Sequence, residues 1–369
     1  MDIIKTAADL ISFKTETGDF DTARKCLEYC RDLFKGTDAV IEIFQKQGIA
    51  PVIFIRNRNS EKFDALVLGH LDVVPAAEDM FTVRIENGKM YGRGTLDMKS
   101  FAAVALNSME YVLKNKLDIT FGIILSTDEE KGSCGTHAFL DAHPDLSAKI
   151  VLDNDVGGDI YKIINKCKNP VFVKITAKGL EAHGSTPWEG IDANQKMFEV
   201  LGRLREIYPY YSKDGIVPED MWVDTVHVAK ITGGDVSNII ANHCEALLDF
   251  RLTENSTVEN LRRNLDKCMV DGVTYTIVSE SVPVVMREDN PAIQDYKHFA
   301  EEILQRPIEF EQIGGATDAR LFAVKGSTVI MHSGSGEGMH AANEYVEIDS
   351  VLKLAEIQVK FLEKLALAK

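Results

Sequence analysis

Short apolar runs that stop abruptly at polar residues punctuate the first half of the chain. "PVIFIRN", "ALVLGH" and "FGIILST" are rich in branched residues and read as buried strands. Between them, "DTARKCLEYCRDLF" and "KSFAAVALNSMEYVLKNK" carry apolar residues at three- and four-residue steps, the spacing of amphipathic helices. "KIVLDND" adds another buried-type strand. Strands alternating with helices predict an α/β fold, a mixed but mainly parallel sheet flanked by helices on both faces.

Near Pro170 the pattern changes. "VFVKITAKG" alternates apolar and polar residues, as a half-exposed antiparallel strand does. A helix "DANQKMFEVLGRLREIY", strand-like "TVHVAKI" and "CEALLDFRL", a helix "TVENLRRNLDKCM" and strand-like "VTYTIVSE" follow, an α+β unit with its own apolar set. After Pro283 the α/β style returns and ends in the helix "DSVLKLAEIQVKFLEKLAL". The expectation is one domain, 1–168 and 284–369, split by an inserted domain, 169–283. Gly157, Gly158 and Pro283 near the joins are candidate hinges.

Composition narrows the partners. A chain of 369 residues is long enough for two domains. It is 45% hydrophobic and 27% charged, a soluble globular mix, and its net charge of −16 repels phosphate backbones. Nucleic acid and anionic membrane are therefore not expected as partners. The six cysteines form no CxxC pair, which reads as reduced thiols in a cytoplasmic protein. "MDIIKTAADL" does not read as a signal peptide, and no apolar run approaches the ~18 residues of a membrane span.

The chemistry gathers where apolar runs end. "ALVLG" runs into His70, Leu71 and Asp72; "FGIILST" into Asp128, Glu129 and Glu130; "KIVL" into Asp153 and Asp155. The turn "YGRGTLDMKS" presents Asp97 before a helix. Open α/β sheets bind ligands at the carboxyl ends of their strands. Imidazole and carboxylate together suit zinc and its neighbours, and a pair of ions ~3.5–4 Å apart forms a hydrolytic centre. Each signal also has an ordinary reading: a hydrogen-bonded His-x-Asp pair, a solvated acidic turn, a loop or cap built on "LDND". The residues alone leave both open. No GxSxG elbow, Walker loop, HExxH or cysteine-nucleophile signature is present.

Six successive motifs, "VLGHLDVVP", "GRGTLDMKS", "STDEEKGSCG", "AHGSTPWEGIDA", "GGATDARLF" and "MHAANEYVEID", resemble in order those of one family of di-zinc hydrolases. It includes aminoacylase, acetylornithine deacetylase, succinyl-diaminopimelate desuccinylase, peptidase T and glutamate-releasing carboxypeptidases. The resemblance covers essentially the whole chain. It implies a zinc exopeptidase-like fold whose inserted α+β domain serves as lid and dimerisation surface.

Residue by residue, the resemblance implies that His70 binds one metal and Asp72 orients its imidazole. Asp97 bridges two metals, Glu129 is the general base, and Glu130 and His340 bind the second metal. The remaining carboxylate of the first site is Asp153 or Asp155, with Asp153 preferred because aminoacylase-like and peptidase T-like members carry an Asp after an apolar residue there. His183 would polarise the scissile carbonyl, often in the partner subunit's site. Asn238 would contact substrate, and Arg320 would grip a substrate carboxylate with its planar fork. For His183 a surface loop position and for Arg320 a structural salt bridge are the plain alternatives. The Gly-Glu-Pro of many deacylases is replaced by "LDND", which shifts weight toward an aminoacylase-like or small-peptide hydrolase. The implied protein is a cytoplasmic homodimer using two divalent ions, zinc first, with cobalt or manganese as alternatives. It would cleave the amide of a small N-acyl amino acid or short peptide. A deacetylase or desuccinylase, and a catalytically silent metal-dependent binding protein, are the rival readings.

Overall fold

The computed structural model describes residues 1–368. The chain divides into two compact units: Met1–Asn165, Met286–Glu311 and Thr317–Lys369 form one, Lys166–Val285 and Gln312–Ala316 the other. The short return at 312–316 has no counterpart in the sequence expectation.

The first unit is built on a central sheet. Strands Val40–Phe44, Val52–Arg56, Phe121–Ser126, Lys62–His70, Ser147–Asp153, Thr328–Met331 and Lys162–Cys167 lie side by side in that order. The four from Phe121–Ser126 to Thr328–Met331 are mutually parallel, and the flanking pairs are antiparallel. Phe121–Ser126 is buried throughout, as its unbroken apolar run requires of a strand covered on both faces. Register places His70 beside Ser126, and Leu68 and Met331 beside Asp153. The carboxyl ends of three parallel strands thus share one edge.

The helix Lys99–Asn115 is buried along most of its length and packs on Ile3–Ser12 and on Ile348–Leu367. Its first residue, Lys99, is fully buried, and its ammonium donates to the carbonyls of Leu10 (3.1 Å) and Phe13 (2.7 Å). Burial pushes that ammonium's pKa down to about 8. A second, small antiparallel sheet orders Gly336–Glu337, Tyr345–Glu347, Lys89–Tyr91 and Arg84–Glu86. It holds the loops that carry Asp97 and His340 next to each other.

The other unit is a four-stranded antiparallel sheet ordered Thr225–Gly233, His243–Leu252, Asn169–Lys178 and Val273–Ser279. Val171, Val173, Ile175 and Ala177 point inward at alternate positions and pack under the helices Ala193–Ile207 and Val258–Cys268. Among the described residues, no helix is long and apolar enough to cross a membrane.

Candidate metal centre

Two clusters of ligand-type side chains form at the carboxyl edge of the central sheet, and they share one residue. His70, Asp97 and Asp155 bring one ligand atom each to within 4.8 Å of one another, and so do Asp97, Glu130 and His340. Asp97 Oδ1 lies 2.9 Å from His70 Nε2, and Asp97 Oδ2 lies 2.9 Å from His340 Nε2. His70 Nε2 is 3.7 Å from Asp155 Oδ2, and His340 Nε2 is 3.1 Å from Glu130 Oε1. One carboxylate with an oxygen turned to each cluster is the arrangement a bridging ligand needs.

Local sequence explains how these side chains meet. Gly69 precedes His70, and a Cβ there would stand 2.6 Å from Met98 Cε, so glycine lets the Met98 side chain, next to Asp97, lie against the strand without having to shift. Gly94 turns that segment at φ +87°, a conformation glycine adopts without penalty. His340 itself lies in the left-handed region at φ +61°. That placement costs a residue with a Cβ about 1–3 kcal/mol.

Asp72 organises the side of the cluster behind His70. Its carbonyl and carboxylate lie 3.0 and 3.3 Å from His70 Nδ1, which turns Nε2 toward Asp97 and Asp155. The same carboxylate accepts from Thr17 Oγ1 (2.9 Å) and from the backbone N–H groups of Glu129 (3.1 Å) and Glu130 (3.2 Å). One buried aspartate therefore sets the imidazole and the two glutamates together. Burial works against its charge, but His70, Thr17 and the Glu129 N–H hold its pKa below the usual value.

The electrostatics are those of crowded negative charge. Burial pushes the Glu129 carboxyl up to about 8, with Asp318, Asp72 and Asp97 adding to the shift and His70 opposing it. Burial and Asp97 likewise raise Asp155. Hydrogen bonds to Asp97 and Glu130 lift His340 to about 10. Several carboxylates and two imidazoles converging on two points make a mixed O/N donor set of the kind that holds zinc-type divalent ions. Cations there would relieve the repulsion. The residues fit the group.

Of the two candidate carboxylates, Asp155 is the one that joins the His70 and Asp97 cluster. Asp153 is buried and its carboxylate is engaged by other groups, accepting from Thr317 Oγ1 (2.5 Å) and from the Asp155 backbone N–H (3.0 Å). Asp155 carries the carboxylate that reaches His70. Arg320 donates to the Thr317 carbonyl (2.7 Å) and lies 3.4 Å from Asp318, so its guanidinium has partners within its own segment. His183 and Asn238 belong to the other unit, where the Gly184 N–H donates to the Asn238 carbonyl at 2.8 Å. The Ser185 N–H donates to His183 Nδ1 at 3.2 Å, and Ser185 Oγ lies 2.8 Å from the same nitrogen.

Two residues at the site lie inside the quoted motifs "GRGTLDMKS" and "MHAANEYVEID" but received no role in the sequence reading. Glu344 accepts from the N–H groups of Gly94 (3.0 Å), Leu96 (2.9 Å) and Asp97 (3.2 Å), and also pairs with Arg93 (2.5 Å). Arg93 donates in turn to the His340 carbonyl at 3.2 Å. The available hint was a glutamate inside "HAANEYV", flanked by residues bound for a buried strand.

An α/β sheet whose strand ends gather two His/carboxylate clusters around a shared aspartate has the site of a class, the two-metal hydrolases. The chain belongs to Peptidase family M20/M25/M40, whose sequence profile matches residues 66–364. It is 27% identical to a succinyl-diaminopimelate desuccinylase of Rickettsia felis, over 96% of this chain and 97% of that one. It is 26% identical to an acetylornithine deacetylase of Shigella sonnei, over 80% and 79% respectively. Its fold matches the M20 metallo-carboxypeptidase Sso-CP2 of Sulfolobus solfataricus with a TM-score of 0.80, at 19% identity and complete coverage of both chains.

Proposed function

We propose that this chain is a cytoplasmic two-zinc amidohydrolase that releases an amine from a small N-acyl amino acid or a short peptide. The observation that carries the reading is Asp97, placed between His70 and His340 with one oxygen toward each. His70, Asp97 and Asp155 would hold one ion, and Asp97, Glu130 and His340 the other. Bound there, divalent ions supply Lewis acidity toward water and toward a carbonyl oxygen.

The chain's own groups do the rest. Glu129 takes the proton of the attacking water and returns it to the leaving amine. Asp72 keeps Glu129 and His70 in register through its bonds to both. His183 offers an Nε2–H to the carbonyl oxygen as charge grows on it, and Asn238 contacts substrate beside it. Arg320 receives a substrate carboxylate, which would compete with Asp318 for the guanidinium. The inserted domain is read as lid and dimerisation surface. The desuccinylase and deacetylase relatives favour a second reading within the same chemistry, with an N-succinyl or N-acetyl diamino acid as substrate.

The test is amine release from a panel of N-acetyl and N-succinyl amino acids, dipeptides and tripeptides by zinc- or cobalt-loaded protein. Hydrolysis of one class is expected. Glu129→Gln should keep its metal and lose about 100-fold or more in turnover. Near-normal turnover in that variant would remove Glu129 as the base, and silence of metal-loaded wild type across the panel would remove the reaction.

A further inference from the structure

We propose that Arg93 and Glu344 are positioning residues that hold His340 against Asp97 and so set the affinity of the Asp97–Glu130–His340 site for its ion. The inference rests on the reading of these residues as metal ligands.

Glu344 is 1% exposed and Arg93 3% exposed, yet both are ionic groups. Arg93 Nε has no partner among the described residues, so the pair carries a desolvation penalty that its hydrogen bonds do not fully offset. Apolar side chains of similar size often stabilise such a place as well or better. Stability alone is therefore a poor reason for the pair. What it touches supplies a better one.

One Glu344 oxygen collects three consecutive-region N–H groups, those of Gly94, Leu96 and Asp97. This pins the backbone of the residue that both clusters share. The other oxygen binds Arg93, and Arg93 binds the carbonyl of His340. One carboxylate and one guanidinium thus join the backbones of two residues that lie 243 positions apart and whose side chains meet at 2.9 Å. His340 also stands in a left-handed conformation. A hydrogen bond to its carbonyl fixes the orientation of the peptide that follows it.

The dependence is unequal. In the other cluster, His70 is oriented by Asp72, and Asp155 is backed by its N–H bond to Asp153. Asp97 has a further anchor two residues on, where Lys99 binds the Leu10 and Phe13 carbonyls. For the His340 backbone, the Arg93 contact is the bond that reaches back to the Asp97 segment. Loosening the pair should therefore loosen the His340 ion and leave the His70 ion in place.

The experiment is titration of chelator-stripped Glu344→Gln and Arg93→Lys proteins with Zn²⁺ and Co²⁺, against wild type and a His340→Ala reference that identifies the second equivalent. Competition with a metal chelator and the Co²⁺ absorption bands are the readouts. Both variants should hold one equivalent as wild type does and bind the other about 10- to 100-fold more weakly. Their kcat should fall at limiting metal and recover in excess, with KM for substrate unchanged. Wild-type affinity for both equivalents overturns the proposal. Equal weakening of both, with a lowered Tm, makes the pair a fold element and also overturns it, as does failure of both variants to fold. Wild type that binds two ions but releases no amine would remove the reaction and leave this proposal standing.

Discussion

Asp153 and Asp155 stand two positions apart, and only the second brings its carboxylate to His70. The sequence could not separate them. Side chains two apart on a strand share a face, but Asp155 lies beyond the last paired residue, where the chain has left the pleat. Asp153 instead receives the Asp155 N–H and the Thr317 hydroxyl, which makes it the support and Asp155 the candidate ligand. Asp155→Asn should lower affinity for the His70-side ion by more than the about 10- to 100-fold typical of losing a supporting residue, and Asp153→Asn by no more than that. Metal retained per chain after dialysis against a graded chelator decides it, and the reverse order would restore Asp153. Glu344 was illegible for a different reason. Its partners are mostly backbone N–H groups, which every residue owns and no motif announces.

At the scale of elements, legibility followed burial. "FGIILST" and "PVIFIRN" stood out because a strand covered on both faces must be apolar at every position. Val40–Phe44 did not, because it is half-buried along its length and carries a glutamate at its centre. One element contact also predicts a pH dependence. His332, just beyond the strand Thr328–Met331, is fully buried, with Nε2 toward the Ile160 carbonyl (2.7 Å) and Nδ1 toward Tyr296 Oη (3.1 Å). Burial lowers its pKa from 6.5 to about 4. The unfolded chain therefore binds this proton more readily, and the stability contributed is present above pH 6.5 and lost as pH falls from there toward 4. The loss is on the order of 3 kcal/mol, a large part of a typical folding free energy. Urea midpoints of wild type and His332→Gln between pH 7 and 4.5 should converge as acid is added. Parallel curves would mean that His332 binds its proton equally well in the folded and unfolded chain, so that burial does not lower its pKa.

For the whole molecule, the proposed metal ligands and the proposed carbonyl-side residues fall in different units of the chain. Every residue of the two His/carboxylate clusters lies in the unit built on the central sheet, and His183 and Asn238 lie in the other. That other unit has its own core, from Val171 to Val273. The residues at its two ends pair, Cys167 opposite Val284 and Lys166 opposite Val285, so the chain leaves and returns at neighbouring positions. An insertion with adjacent ends and its own core can be excised with little strain on its host. Replacing residues 168–283 by a short turn should leave a folded protein that binds two equivalents of Zn²⁺ yet turns over the panel substrates at least about 100-fold more slowly, the scale expected for losing an oxyanion donor. The cut also exposes Ile313, whose carbonyl accepts from the Lys168 N–H, so some loss of Tm is expected without loss of metal. Full turnover in the excised protein would show that His183 and Asn238 take no part in the reaction, and loss of both ions would show that the inserted unit is needed to build the site itself.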